Sequence, residues 1–84
     1  MNYDPDGRVA VVTGAAGGLG RAIVTQLLGD GLQVAGLDID AAGLAEMTVP
    51  GFTGVTCDLT DPDAIATAFT DIGRDFGGLD ALVN

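Results

Sequence analysis

Eight residues between an apolar run and an amphipathic one, Thr13 to Gly20, read TGAAGGLG and have the composition of a phosphate cradle. Binding a phosphate through the main chain requires missing side chains at set places. Gly14 allows the tight turn, Gly18 lets the backbone approach a pyrophosphate, and Gly20 lets the following helix pack closely. The start of that helix then offers unpaired N–H groups and the positive end of its dipole to an anion. Asp38, 18 residues past Gly20, closes the next apolar run, where a carboxylate can accept hydrogen bonds from both hydroxyls of an adenine ribose. A 2′-phosphate on that sugar would meet repulsion on the order of 4 kcal/mol per unit charge at contact distance, before screening. No arginine or lysine lies near Asp38 to reverse the sign, so turn and carboxylate together select NAD. Asp40, two residues on, reads as a solvated turn residue.

Other chemistries are excluded by what the chain lacks. It has no lysine, so a Walker-type phosphate loop is ruled out, and no histidine or serine, which removes Ser/His triads and imidazole-based zinc sites. Cys57 is the only cysteine, so an internal disulfide and a two-cysteine metal or redox motif are both impossible. Tyr3, the only tyrosine, sits in a polar lead without a lysine partner. No catalytic residue and no metal ligand is therefore expected in this chain. Twelve acidic residues against Arg8, Arg21 and Arg74 give a net charge of −9, the wrong sign for a nucleic-acid groove or an anionic membrane surface. With no apolar stretch near the length of a membrane span, a cytoplasmic protein is expected.

The elements that must hold the turn and Asp38 follow from periodicity. At 84 residues and 48% hydrophobic, the chain is one unit with a core. Val9 to Val12 suit a strand buried on both faces. Leu19, Ala22, Ile23 and Leu27 then recur at helical spacing up to Gly29 and Gly31. Val34 to Leu37 give a second strand, Ala41 to Met47 a short helix, and Gly54 to Cys57 a third strand. Asp61 caps the next helix and Pro62 opens it, with Ile65, Ala68, Phe69, Ile72 and Phe76 on one face and Gly77 and Gly78 ending it. Leu79 to Val83 read as a fourth strand. The pattern βαβαβαβ predicts an α/β fold, the N-terminal half of a Rossmann-like doubly wound parallel sheet in strand order 3-2-1-4. Residues 1–84 are thus expected to form a partial dinucleotide-binding domain.

At this point the chain resembles the short-chain dehydrogenase/reductase family. Thr13, Gly14, Gly18 and Gly20 match its TGxxxGxG turn, CDLTD at Cys57 to Asp61 is similar to its segment after the third strand, and GGLDALVN at Gly77 to Asn84 is similar to the start of its LVNNAG segment. Gly17 makes the turn fit TGxxGxxG as well, the form found in the extended, epimerase-like branch, whereas LDALVN is similar to the compact oxidoreductase branch. The stretch Ala41 to Pro50 is shorter than in many relatives. The resemblance implies that Gly14, Gly17, Gly18, Leu19 and Gly20 surround the diphosphate. It further implies that Ile39 lies against the adenine ring, that Asp58 accepts from the adenine amino group, and that Leu59 adds backbone to the same pocket. By the same resemblance, backbone at Asn84 lies near the cofactor ribose.

The family's reaction is hydride transfer between a nicotinamide and an alcohol or ketone. Its tyrosine, lysine and serine have no match here, so the resemblance implies that the remainder of the domain carries the chemistry, with a homo-oligomer once complete. A non-catalytic dinucleotide-binding module or sensor would share the turn and need none of those groups.

Overall fold

Val9, Ala10, Val11 and Val12 carry no polar side chain, and the computed structural model, which describes residues 8–77 and 81–83, buries all four in strand β1 (Val9–Thr13). Helix α1 (Gly18–Gly29), strand β2 (Gln33–Asp38), helix α2 (Ala41–Ala45), strand β3 (Phe52–Thr56), helix α3 (Pro62–Phe76) and strand β4 (Ala81–Val83) follow. All strand pairs are parallel, in the order β3-β2-β1-β4 expected from the sequence. No helix among the described residues is long and apolar enough to cross a membrane.

The continuous apolar runs reflect helices on both faces of the sheet. Val9, Val11, Ala35 and Leu37 pack with Cys57 and with Ala68 and Ile72 of α3. Val12 and Val34 face the other way, against Val24 of α1, Leu44 of α2 and Ala15 of the glycine turn. Register then brings the carboxyl ends of the strands to one rim. Thr13 pairs with Leu37, Asp38 with Thr56, and Val12 with Val83. The chain leaves β1 for β2 on one side and returns to β4 on the other, which makes this rim the switch point where open α/β sheets bind ligands.

Several details differ from the sequence reading. β3 begins at Phe52, two residues before the expected Gly54, because Phe52 pairs with Val34 and its ring fills the space above Gly36. α2 stops at Ala45 rather than Met47, with Glu46 as its C-cap, just before Thr48, Val49 and Pro50. Along α1 the inward face is Gly20 and Val24, flanked by Ile23, Leu27 and Leu28, whereas Leu19 and Ala22 are exposed. Gly20 has to meet the turn, and that contact rotates Leu19 outward. Asp61 caps α3 through bonds from the N–H groups of Asp63 and Ala64, Pro62 occupies the first turn, and Gly77 ends the helix in a left-handed conformation, all as expected. Gly78, Leu79 and Asn84 lie outside the described residues.

Candidate functional site

The turn after β1 is built by short hydrogen bonds to the neighbouring strand. Gly14 has φ +69°, a conformation that side chains resist, and its N–H donates to Leu37 O at 2.8 Å. The N–H of Gly17 closes the turn onto Gly14 O at 3.2 Å. A Cβ on Gly20 would overlap that same Gly14 oxygen and approach Ala15 Cα at 2.9 Å, so close helix packing does require glycine there. A Cβ on Gly18 would meet nothing within 4 Å, which leaves its outer face open. Thr13 Oγ1 donates to Val83 O at 3.3 Å, tying the turn to β4 as well.

The helix that follows differs from the other two. Asp40 caps α2 through Gly43 N at 2.9 Å and Asp61 caps α3, but Gly17 gives α1 no side-chain cap, and no acidic residue occupies its first turn. Helix geometry leaves the first N–H groups without internal partners. Among the described residues, this is the helix start with no acidic cap, the kind of helix N-terminus that favours an anion.

Asp38 stands at the end of β2 beside this turn. Its Oδ2 accepts from Ala16 N–H at 3.0 Å and its Oδ1 from Asp40 N–H at 3.0 Å. A carboxylate offers about four lone-pair sites, so two bonds orient it and leave capacity for further donors. Asp40 is not simply a solvated turn residue, since it is also the α2 cap.

Arg21 reaches the same turn from its other side. Its Nε donates to Ala16 O at 2.8 Å and its Nη2 to Gly43 O at 3.2 Å, with Glu46 Oε1 3.5 Å away. The two charged groups therefore hold opposite ends of one residue, Ala16. Proximity in sequence to Asp38 could not reveal this. The available signal was that Arg21 follows Gly20 directly, in a chain with only three cations.

Among the described residues, the exposed large apolar side chains are Leu19 (78%), Ile39 (66%), Val49, Leu59 (37%) and Leu82 (49%). Three of these, Leu19, Ile39 and Leu59, are the apolar positions the sequence assigned to a nucleotide, and each follows the turn or a strand end at the same rim. Leu59 and Leu82 also line a cavity of about 250 Å³ with Thr13, Ile65 and Phe69. Asp58 lies on the surface of the loop after β3. Its Oδ1 accepts from Thr60 Oγ1 at 2.7 Å and Thr60 N at 2.9 Å, and these bonds hold its carboxyl below the usual range. Cys57 is buried in the core, where desolvation first, then the nearby Asp58 and Asp61 charges, push its thiol up.

Known proteins share this fold. The family profile described as short chain dehydrogenase matches residues 8–84. The short chain dehydrogenase/reductase dpchG of Colletotrichum higginsianum is 44% identical over 84 aligned residues, covering 93% of this chain and 31% of that protein. A 3-ketoacyl-(acyl-carrier-protein) reductase from Brucella melitensis, solved as a complex with NADH, superposes with a TM-score of 0.87 at 26% identity, over 94% of this chain and 34% of that one. An NAD+-bound xylitol dehydrogenase gives 0.88 at 29% identity, over 95% and 33%. The chain thus spans about a third of the length of these relatives. With that profile matched over residues 8–84, and a glycine turn at the switch point of a parallel sheet, the chain belongs to the short chain dehydrogenase family.

Proposed function

We propose that residues 1–84 are the cofactor-binding half of an NAD-dependent oxidoreductase that moves a hydride between a nicotinamide and an alcohol or carbonyl substrate. The observation that carries this reading is the pairing of an uncapped α1 start with the Asp38 carboxylate on one rim. The open face at Gly18 and the free first-turn N–H groups of α1 suit a diphosphate, and the oriented carboxylate suits two ribose hydroxyls. Solved relatives that carry NADH or NAD+ support it.

NAD, when bound, supplies the hydride acceptor; this chain binds and orients it. Gly14, Gly17, Gly18, Leu19 and Gly20 hold the diphosphate, Asp38 grips the adenine ribose, and Ile39, Asp58 and Leu59 receive the adenine. Asp58 Oδ1 is occupied by Thr60, so its Oδ2 is the oxygen left for the adenine amino group. The family resemblance implies that backbone at Asn84 lies near the cofactor ribose. The acid/base groups come from outside these residues, so activity needs the remainder of the domain, in a cytoplasmic homo-oligomer.

Titration of the full-length protein with NAD and NADP, as wild type and as Asp38→Ala, tests the reading. Loss of two bonds to a charged group should weaken NAD by about tenfold or more and leave NADP much less affected. Equal losses for both cofactors would refute the ribose assignment. Binding of NAD without oxidation of any alcohol would instead identify a non-catalytic module.

A further inference from the structure

Arg21 is one of three cations in the chain, and nothing in the cofactor reading uses its charge. The guanidinium is turned inward, donating to Ala16 O at 2.8 Å and Gly43 O at 3.2 Å. Ala16 is therefore held from both sides, its N–H by Asp38 and its carbonyl by Arg21. A third contact is steric, because a Cβ on Gly43 would come within 2.9 Å of Ala16 Cβ. The short helix α2 is thus tied to the glycine turn through Ala16, and that residue also donates to Asp38.

We propose that Arg21 is a positioning residue for the ribose carboxylate. By fixing Ala16 from behind, it presents the N–H that keeps Asp38 turned toward the sugar, and so sets the preference for a 2′-hydroxyl over a 2′-phosphate. The inference rests on the reading of Asp38 given above. Ala16 has few restraints of its own, since Gly14, Gly17 and Gly18 lie within two residues of it. A planar guanidinium can serve two carbonyls on different elements from one rigid fork, which an ammonium does poorly. The same bonds, with Glu46 alongside, keep the positive charge engaged behind the turn and so withhold it from a 2′-phosphate.

The test compares NAD and NADP dissociation constants, KM and kcat in the full-length protein for wild type, Asp38→Ala, Arg21→Ala, Arg21→Lys and Glu46→Gln. Arg21→Ala should weaken NAD about tenfold while NADP changes by less than about twofold, with the NAD effect in KM and not in kcat. Arg21→Lys should recover part of the preference, and Glu46→Gln, which removes only an exposed ion pair, should shift it by less than about twofold. Should Arg21→Ala melt below the assay temperature, the Arg21→Lys ratio decides: an NAD to NADP preference equal to wild type would overturn the proposal. Equal weakening of both cofactors by Arg21→Ala would likewise overturn it, reducing Arg21 to an ordinary structural contact. If Asp38→Ala abolishes the preference and the Arg21 variants keep it, this inference alone falls. If wild type binds neither cofactor, the cofactor reading falls with it.

Discussion

Glycines in one turn serve different ends, and substitution separates them. Gly20 faces Gly14 O and Ala15 Cα, which are backbone atoms that cannot rotate away. Gly20→Ala should therefore destabilise the fold by about 1–3 kcal/mol or more in urea denaturation, whatever ligand is present. Gly18 faces open space, so Gly18→Ala should melt like wild type yet bind NAD about tenfold more weakly by calorimetry, because in the proposed binding mode the added methyl stands where the diphosphate approaches. Equal melting temperatures with equal affinity would remove Gly18 from the site. Cys57 makes a second residue-scale case. Its thiol is buried and its ionisation is pushed up by desolvation and by two neighbouring carboxylates, so at pH 8 it should react with a disulfide reagent about tenfold more slowly in the folded protein than in urea. The unfolded thiol ionises near its ordinary 9.0 and the folded one above it, so the stability held below that value declines as pH rises past it.

At the scale of elements, the helix starts divide by purpose. α3 uses Asp61 at its N-cap and Pro62 in its first turn, so Asp61→Ala should cost about 1 kcal/mol, read as a lower urea midpoint with unchanged slope. NAD affinity should move by less than about twofold, because the Asp61 side chain bonds only the N–H groups of Asp63 and Ala64 at the start of α3. α1 lacks such a side-chain cap, and its first-turn N–H groups have no partner within the helix. α3 was the more legible helix in the sequence, with its apolar residues on one face and both ends marked. The sequence predicts α1 with Ile23 and Leu27 inward, but not that Gly20 rather than Leu19 faces the sheet, because Gly20 carries no hydrophobic signal and its place follows from the contact with Gly14. β3 shifted for a related reason, since its start is set by register with β2 and by the space above Gly36, neither of which is local to Phe52.

On the scale of the whole molecule, β4 pairs with β1, and among the described residues no strand pairs with its other edge. Leu82 is half exposed there, beside the cavity it shares with Leu59 and Phe69. An unpaired edge with apolar side chains invites association. The 84-residue chain produced alone should sediment as a concentration-dependent mixture, and Leu82→Asp should reduce that association while Val49→Asp, in the loop before β3, should not. A monomer at all concentrations would show that this edge is not sticky.

Taken by itself, the sequence determined the order of elements, the parallel sheet and the place of the glycine turn. Those depend on local signals: unbroken apolar runs, helical spacing around Ile72, a proline after an aspartate, and glycines between a strand and a helix. It also singled out Asp38 by its spacing from the turn. Only the tertiary structure decided what Asp38 touches and what holds it there. The bonds from Ala16 to Asp38 and from Arg21 to Ala16 and Gly43 join residues up to 22 positions apart. Contacts of that kind have no periodicity to read; they exist because parallel pairing of β1 with β2 lays one loop against the end of the next strand.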